Sequence, residues 1–210
     1  GFAMYLRTIR LAGSPENLEG VITRFDEISA PVRGLPGCAA VMLAADVGAG
    51  KAIIFSYWES EGALNASEEP GAGVRARTAA EHGIEVVDVE RYEVSYLERR
   101  KPPTAGTFVR LVSTTRPPEQ LDALLSAVQG RVLPIIVNQK GFRSAVNAVN
   151  RQNGKVIGGS SWDTAADREA SNAATATVRE ELMAAAGSAP EVENYDVVFA
   201  DIRVTAGSGA

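Results

Sequence analysis

The chain repeats itself, and this constrains its fold more than any other feature of its 210 residues. A shift of 104 positions lays Gly50-Lys51-x-Ile53-x-x-Ser56-x-Trp58 on Gly154-Lys155-x-Ile157-x-x-Ser160-x-Trp162. The same shift pairs Ala66-Ser67 with Ala170-Ser171, Val74-Arg75 with Val178-Arg179, and Gly83 with Gly187. A shift of 103 aligns the flanks: Arg7 with Arg110, Pro15-Glu16-x-Leu18 with Pro118-Glu119-x-Leu121, and Val89-Glu90-x-Tyr92 with Val192-Glu193-x-Tyr195. Identities that keep their order along the whole length mark a tandem duplication of one module of roughly a hundred residues. The one-residue change of shift is small enough for a loop to absorb.

The two copies predict the same elements. Tyr5 to Leu11 and Phe108 to Thr114 are rich in β-branched and apolar residues, and read as strands. Ser14-Pro15-Glu16 then opens a helix, as does Thr115 to Glu119, with cap, proline and acid in their favoured places. These helices are expected to end near Pro31 and Pro134, because proline blocks continuation. Two short strands follow in each copy, Ala39 to Ala44 with Ala52 to Trp58, and Arg143 to Val149 with Lys155 to Trp162, joined by Gly- and Asn-rich turns. A second helix starts at Ser60 and at Thr164 and closes at Gly83 and Gly187. In the first copy Pro70-Gly71-Ala72-Gly73 is expected to interrupt it. A last strand runs Glu85 to Tyr96 and Glu191 to Val204. The order β-α-β-β-α-β is that of a ferredoxin-like α+β domain. Its helices cover one sheet face only, so the other face needs a cover, and two sheets facing each other would supply it.

Composition narrows the function. Hydrophobic residues make up 45% and charged residues 22%, which fits a packed core. A net charge of −5 argues against a nucleic-acid partner or an anionic membrane surface. The basic triplet Arg99-Arg100-Lys101 is too short for a basic tract and reads as a solvated linker. Cys38 is the single cysteine, so no intramolecular disulfide can form, and a reducing, cytoplasmic setting is expected. No apolar run approaches the roughly 20 residues that cross a bilayer, and no secretory leader is expected. Gly1-Phe2-Ala3 before Met4 reads as a cloning remnant, and Ala206 to Ala210 is expected to fray.

The third strand of each copy ends in Trp, then an acidic and a small residue, then an Ala-bearing helix: Trp58-Glu59-Ser60-Glu61-Gly62-Ala63 and Trp162-Asp163-Thr164-Ala165-Ala166. With the closing Tyr-acid-Val strand, this resembles the dimeric α+β barrel superfamily and its antibiotic-biosynthesis-monooxygenase-like domains. The resemblance covers about residues 4 to 100 and 107 to 204. It implies an α+β protein of two tandem ferredoxin-like domains, residues 4–98 and 107–205, with a linker at 99–106. Their antiparallel sheets would face each other as an intramolecular dimeric α+β barrel. It also implies a small-molecule ligand, oxygenase chemistry on an aromatic or polyketide-like metabolite, and no cofactor. Further association into a homodimer is compatible with it.

Haem-degrading relatives carry Asn on the first strand and a ligand His on the second helix. Here neither first strand contains Asn, the second copy has no His, and His82 lies at the far end of the first copy's helix. That departure speaks against haem. Polyketide oxygenases position a phenol with Asn, Trp, Tyr and Arg, and no Asn partner is evident in the sequence. The resemblance and the residue types nominate Trp58, Trp162, Arg7, Arg110 and His82 as cavity candidates. Trp at a strand end also anchors a helix. Arg within a strand is costly unless solvated, paired or used for an anion. His82 could act as a base or simply face the helix dipole. Arg75 and Arg179 read as surface residues and Cys38 as inert. No metal-ligand spacing, phosphate loop or nucleophile elbow is present. A non-catalytic binding or accessory barrel is therefore the alternative. The mismatches between the copies, His82 and the Pro70–Gly73 stretch, sit in the first copy, and if only one copy holds a working site it is expected to be the first.

Overall fold

The computed structural model describes residues 3–185 and 189–203. The expectations for Gly1-Phe2, Gly187, Val204 and the 206–210 tail lie outside the described residues.

The first copy comprises β1 (Tyr5–Ala12), α1 (Pro15–Arg33), β2 (Cys38–Asp46), β3 (Lys51–Trp58), α2 (Glu61–Ala66), α3 (Glu68–His82) and β4 (Glu85–Arg99). The second has β5 (Phe108–Thr115), α4 (Leu121–Ala127), α5 (Leu133–Ile136), β6 (Phe142–Asn150), β7 (Lys155–Trp162), α6 (Ala165–Ala184) and β8 (Glu191–Ile202). The helix starts follow their caps. Ser14 Oγ accepts from the Asn17 N–H, Ser60 Oγ from the Ala63 N–H, and Thr164 Oγ1 from the Asp167 N–H. Gly83, at φ 65°, ends α3 in the left-handed region, where a Cβ is unfavourable.

Proline acts differently from expectation. Helix α1 runs through Pro31 to Arg33, because one missing N–H near a helix end costs little. In the second copy Pro134 does not end the helix either. A π turn over Val128–Val132, closed by the Leu133 N–H on the Val128 carbonyl, joins α4 to α5, and Pro134 falls in the first turn of α5. The break in the first copy's second helix is at Ser67, not at Pro70 to Gly73. Pro70 sits in the first turn of α3, where its absent N–H has no partner to lose.

The strand order is β1-β3-β2-β8-β5-β7-β6-β4, which closes as a barrel. Register repeats as faithfully as sequence. Arg7 lies opposite Ser56 and Tyr5 opposite Trp58, while Arg110 lies opposite Ser160 and Phe108 opposite Trp162. Alternation along β1 puts Arg7, Ile9 and Leu11 on one face.

The compact units do not coincide with the sequence copies. One comprises the chain to Tyr92 together with the end strand from Asp196, and the other comprises Glu93–Tyr195. Within the first unit, β2 pairs with the second half of β8, Ala45 with Asp196 through Ala40 with Ile202. Within the second, the second half of β4 pairs with β6, Glu93 with Val149 through Arg99 with Ser144. Each copy thus gives the end of its last strand to the other unit. The first unit's core gathers Ile9, Leu18, Phe25, Leu43 and Trp58. The second unit's core gathers Val132, Leu133, Phe142 and Trp162, with a neighbouring cluster around Leu121 and Met183. Among the described residues no helix is long and apolar enough to cross a membrane.

Candidate functional site

Each unit holds a mainly apolar cavity between its sheet and its helices, with an arginine from the first strand on its wall. In the first unit the cavity is about 60 Å³ and is walled by Arg7, Ile9, Phe25, Ile54, Ser56 and Arg75 among others. In the second it is about 80 Å³, and the corresponding wall carries Arg110, Val112, Val128, Gly158, Ser160 and Arg179.

Arg7 is 4% exposed and Arg110 is 3% exposed, although both are charged. The sequence folds to hold them in the same way. In the first unit Arg7 Nη1 donates to Ser67 Oγ at 2.7 Å and Nη2 donates to the Leu64 carbonyl at 3.1 Å. In the second, Arg110 Nη1 donates to Ser171 Oγ at 2.6 Å and to the Arg168 carbonyl at 2.8 Å. Both guanidiniums lie over tryptophan, Arg7 at 6.0 Å from the Trp58 centroid and Arg110 at 5.7 Å from that of Trp162. Each indole in turn donates from Nε1 to a serine two residues earlier, Ser56 at 3.0 Å and Ser160 at 2.9 Å.

Charge compensation separates the two sites. Glu68, on the first turn of α3, contacts Arg7 Nη2 at 2.9 Å and Arg75 Nη2 at 2.6 Å, so one carboxylate bridges both guanidiniums. The equivalent position in the second copy is Asn172. Its Oδ1 and backbone carbonyl accept from Arg179 Nη2 at 2.5 and 2.9 Å, and it brings no charge. Burial therefore lowers the pKa of Arg110 to about 10, with the nearby Arg179 cation pushing the same way and Glu169 opposing. Burial also lowers Arg7, but Glu68 offsets part of that shift.

Asn147 is a wall residue not evident from the sequence. It is 4% exposed, lies on β6 opposite Gly158, and faces the second cavity. It stands where the first copy has Leu43, and Gly158 stands where the first copy has Ile54. A Cβ on Gly158 would lie 3.2 Å from Asn147 Oδ1. The signal was present in the shifted alignment as a polar residue replacing an apolar one in a buried strand.

Of the residues nominated from sequence, Arg7 and Arg110 lie on the cavity walls. Trp58 and Trp162 are fully buried and support those arginines from behind. They are absent from the walls themselves. His82 ends α3 with Nδ1 near Gly20 of α1, away from the first cavity. Arg75 and Arg179, read as surface residues, line the cavities instead. Cys38 is buried, which pushes its thiol pKa up. Among the described residues there is no cluster of three His, Cys, Asp or Glu that could hold a metal.

The antibiotic biosynthesis monooxygenase family model matches residues 4–72. An uncharacterised protein of Mycobacterium tuberculosis is 28% identical over 209 residues, spanning 97% of this chain and 92% of its own length. Among solved structures, an anthrone oxidase-like protein superposes with a TM-score of 0.73 at 17% identity, over 96% of this chain and 94% of its own. A proposed monooxygenase from Fusobacterium nucleatum does so with a TM-score of 0.74 at 10% identity, over 95% and 94%. Such identities establish the fold and leave the reaction to be argued from the site. Residues 4–72 thus match the antibiotic biosynthesis monooxygenase family model, and the chain as a whole is a tandem duplication that shares the α+β barrel fold of those solved structures.

Proposed function

We propose that this protein binds a small aromatic or polyketide-like metabolite in its sheet–helix cavities and oxidises it with molecular oxygen, without a bound cofactor. The observation that supports this reading is the apolar cavity of each unit, walled by a buried arginine held over tryptophan. An apolar pocket with a few fixed polar groups is the general form of a small-molecule site. A guanidinium in a dry cavity stabilises a developing phenolate, the form in which an electron-rich ring reduces oxygen. The net change suited to such a ring converts a ring CH2 and O2 into a carbonyl and water, with the substrate supplying all the electrons.

Haem does not fit the residues present. Neither cavity wall carries a His, Cys or Tyr, the ligands haem iron most often uses. Met183 lines the second cavity, but its thioether faces Arg116 Nη2 at 3.0 Å.

A second reading, a non-catalytic binding barrel, draws on a specific observation: neither wall carries a His, Asp or Glu that could take a proton from substrate. Oxygen-electrode assays with anthrones and hydroquinones separate the two. Uptake that falls in Arg7→Met or Arg110→Met protein is the expected result for the oxygenase. No uptake with any quinol, together with a small molecule retained in native mass spectra, selects the binding barrel. No uptake and no retained or added ligand would remove both.

A further inference from the structure

The repeat provides an internal comparison of one site in two charge states. In the first unit the two cavity guanidiniums share the carboxylate of Glu68, at 2.9 and 2.6 Å. In the second, Arg110 and Arg179 stand on the same wall positions, and the residue at the Glu68 position is Asn172. The donors of both arginines are underused. Among the described residues Arg110 makes its hydrogen bonds through Nη1 alone. Arg179 makes its own through Nη2 alone, and its buried Nε has no partner among the described residues. The acids that influence them electrostatically, Glu169 and Glu180, are exposed at the surface, and Glu169 lies beside Arg168.

Two further substitutions open the same cavity. Ile54 of the first copy becomes Gly158, and Leu43 becomes Asn147. The Asn147 side chain lines the cavity, is almost wholly buried, and makes no hydrogen bond among the described residues. Unpaired buried charge and an unpaired buried amide are both costly in a cavity that is otherwise apolar. A ligand bearing one carboxylate would satisfy all three groups. A guanidinium binds a carboxylate with charge-assisted hydrogen bonds, and an amide donates to the remaining oxygen.

We infer that the second unit's cavity is a carboxylate-binding site for a small ligand with an apolar body. Arg110 and Arg179 clamp the carboxylate, Asn147 orients it, and Val112, Val128 and Val156 receive the body. In the first unit the half-exposed Glu68 pairs with both guanidiniums from outside the cavity wall, so that unit is self-neutralised. This inference rests on the reading of the cavities as small-molecule sites and adds charge selectivity and an address to it. It places the selective site in the second copy, where the sequence alone had pointed to the first.

The experiment is calorimetric titration of the full-length chain with benzoate and butyrate, against benzamide and butyramide as neutral counterparts. Wild-type protein is expected to bind each acid at one site and at least about tenfold more tightly than its amide, the effect of one charge-assisted contact. Asn172→Glu, which copies the first unit's arrangement, is expected to abolish that preference while keeping the wild-type melting temperature. Equal binding of acid and amide, or a preference that survives Asn172→Glu, overturns the charge inference and leaves the cavity reading standing. Failure of all four probes to bind overturns both.

Discussion

A buried guanidinium without a counter-ion is an expense that a stable fold does not need. Arg110→Met should therefore raise the melting temperature by about 2–4 °C for each kcal/mol of charge burial removed. The acceptors it leaves remain satisfied, because Ser171 Oγ still donates to the Arg168 carbonyl. Arg7→Met should gain less, since Glu68 already compensates that charge. The gain at Arg110 also depends on pH in a defined direction. Its pKa is about 10 in the fold and higher in the unfolded chain. The unfolded state thus binds more protons between about pH 10 and the ordinary arginine range, and stability from this group rises with pH there. The penalty is fully present below about pH 10, so the stabilisation by Arg110→Met should be complete at neutral pH and shrink above it, as thermal melts across that range would show. Cys38, buried with its thiol pKa raised, should resist thiol reagents until denaturant is added, which an absorbance assay for free thiol reads directly. The arginines and tryptophans could be nominated from sequence because both copies retain them. Glu68, Asn172 and Asn147 carry no such mark, since the copies differ at those positions and the difference is the feature that matters.

Turns and helix ends followed local chemistry closely. Ser14, Ser60 and Thr164 cap as their residue types suggest. The prolines misled because proline forbids only one N–H and one backbone approach, and both can be accommodated in a first turn, near a helix end or around a π turn. That π turn brings Val128 and Val132 onto the wall of the second cavity, a placement that helical spacing alone could not give. Glycine at the turn before β2 and before β6 is a stricter requirement. Gly37 and Gly141 have φ 79° and 78°, and a Cβ there would fall 2.5 Å from Ala63 Cβ or 2.1 Å from Asp167 Oδ2. Their carbonyls accept the Glu59 and Asp163 N–H groups just past each tryptophan, fixing where the third strand stops. Gly37→Ala and Gly141→Ala should each destabilise the protein by about 1–3 kcal/mol in urea titrations, from left-handed strain and steric overlap together.

The element order and the duplication were readable in the chain, and so was the barrel fold through the family resemblance. The exchange of strand ends was not, because β4 and β8 each read as one uninterrupted strand, and nothing local marks Tyr92 or Tyr195 as a change of partner. A cut between the copies, giving residues 1–103 and 104–210, should therefore not produce two independent domains. The first fragment loses the strand that pairs with β2, and the second loses the strand that pairs with β6. Each is left with an exposed sheet edge. Size-exclusion chromatography with light scattering should show the separate fragments aggregating or self-associating, and a one-to-one complex when they are co-expressed. Two stable, monomeric fragments would show that the exchanged ends contribute little. A two-chain barrel of this kind would come apart as its concentration falls, whereas here the linker holds each donated strand near its acceptor at an effective concentration of about millimolar. Its assembly is therefore insensitive to dilution, and the fold should persist even at very low copy number.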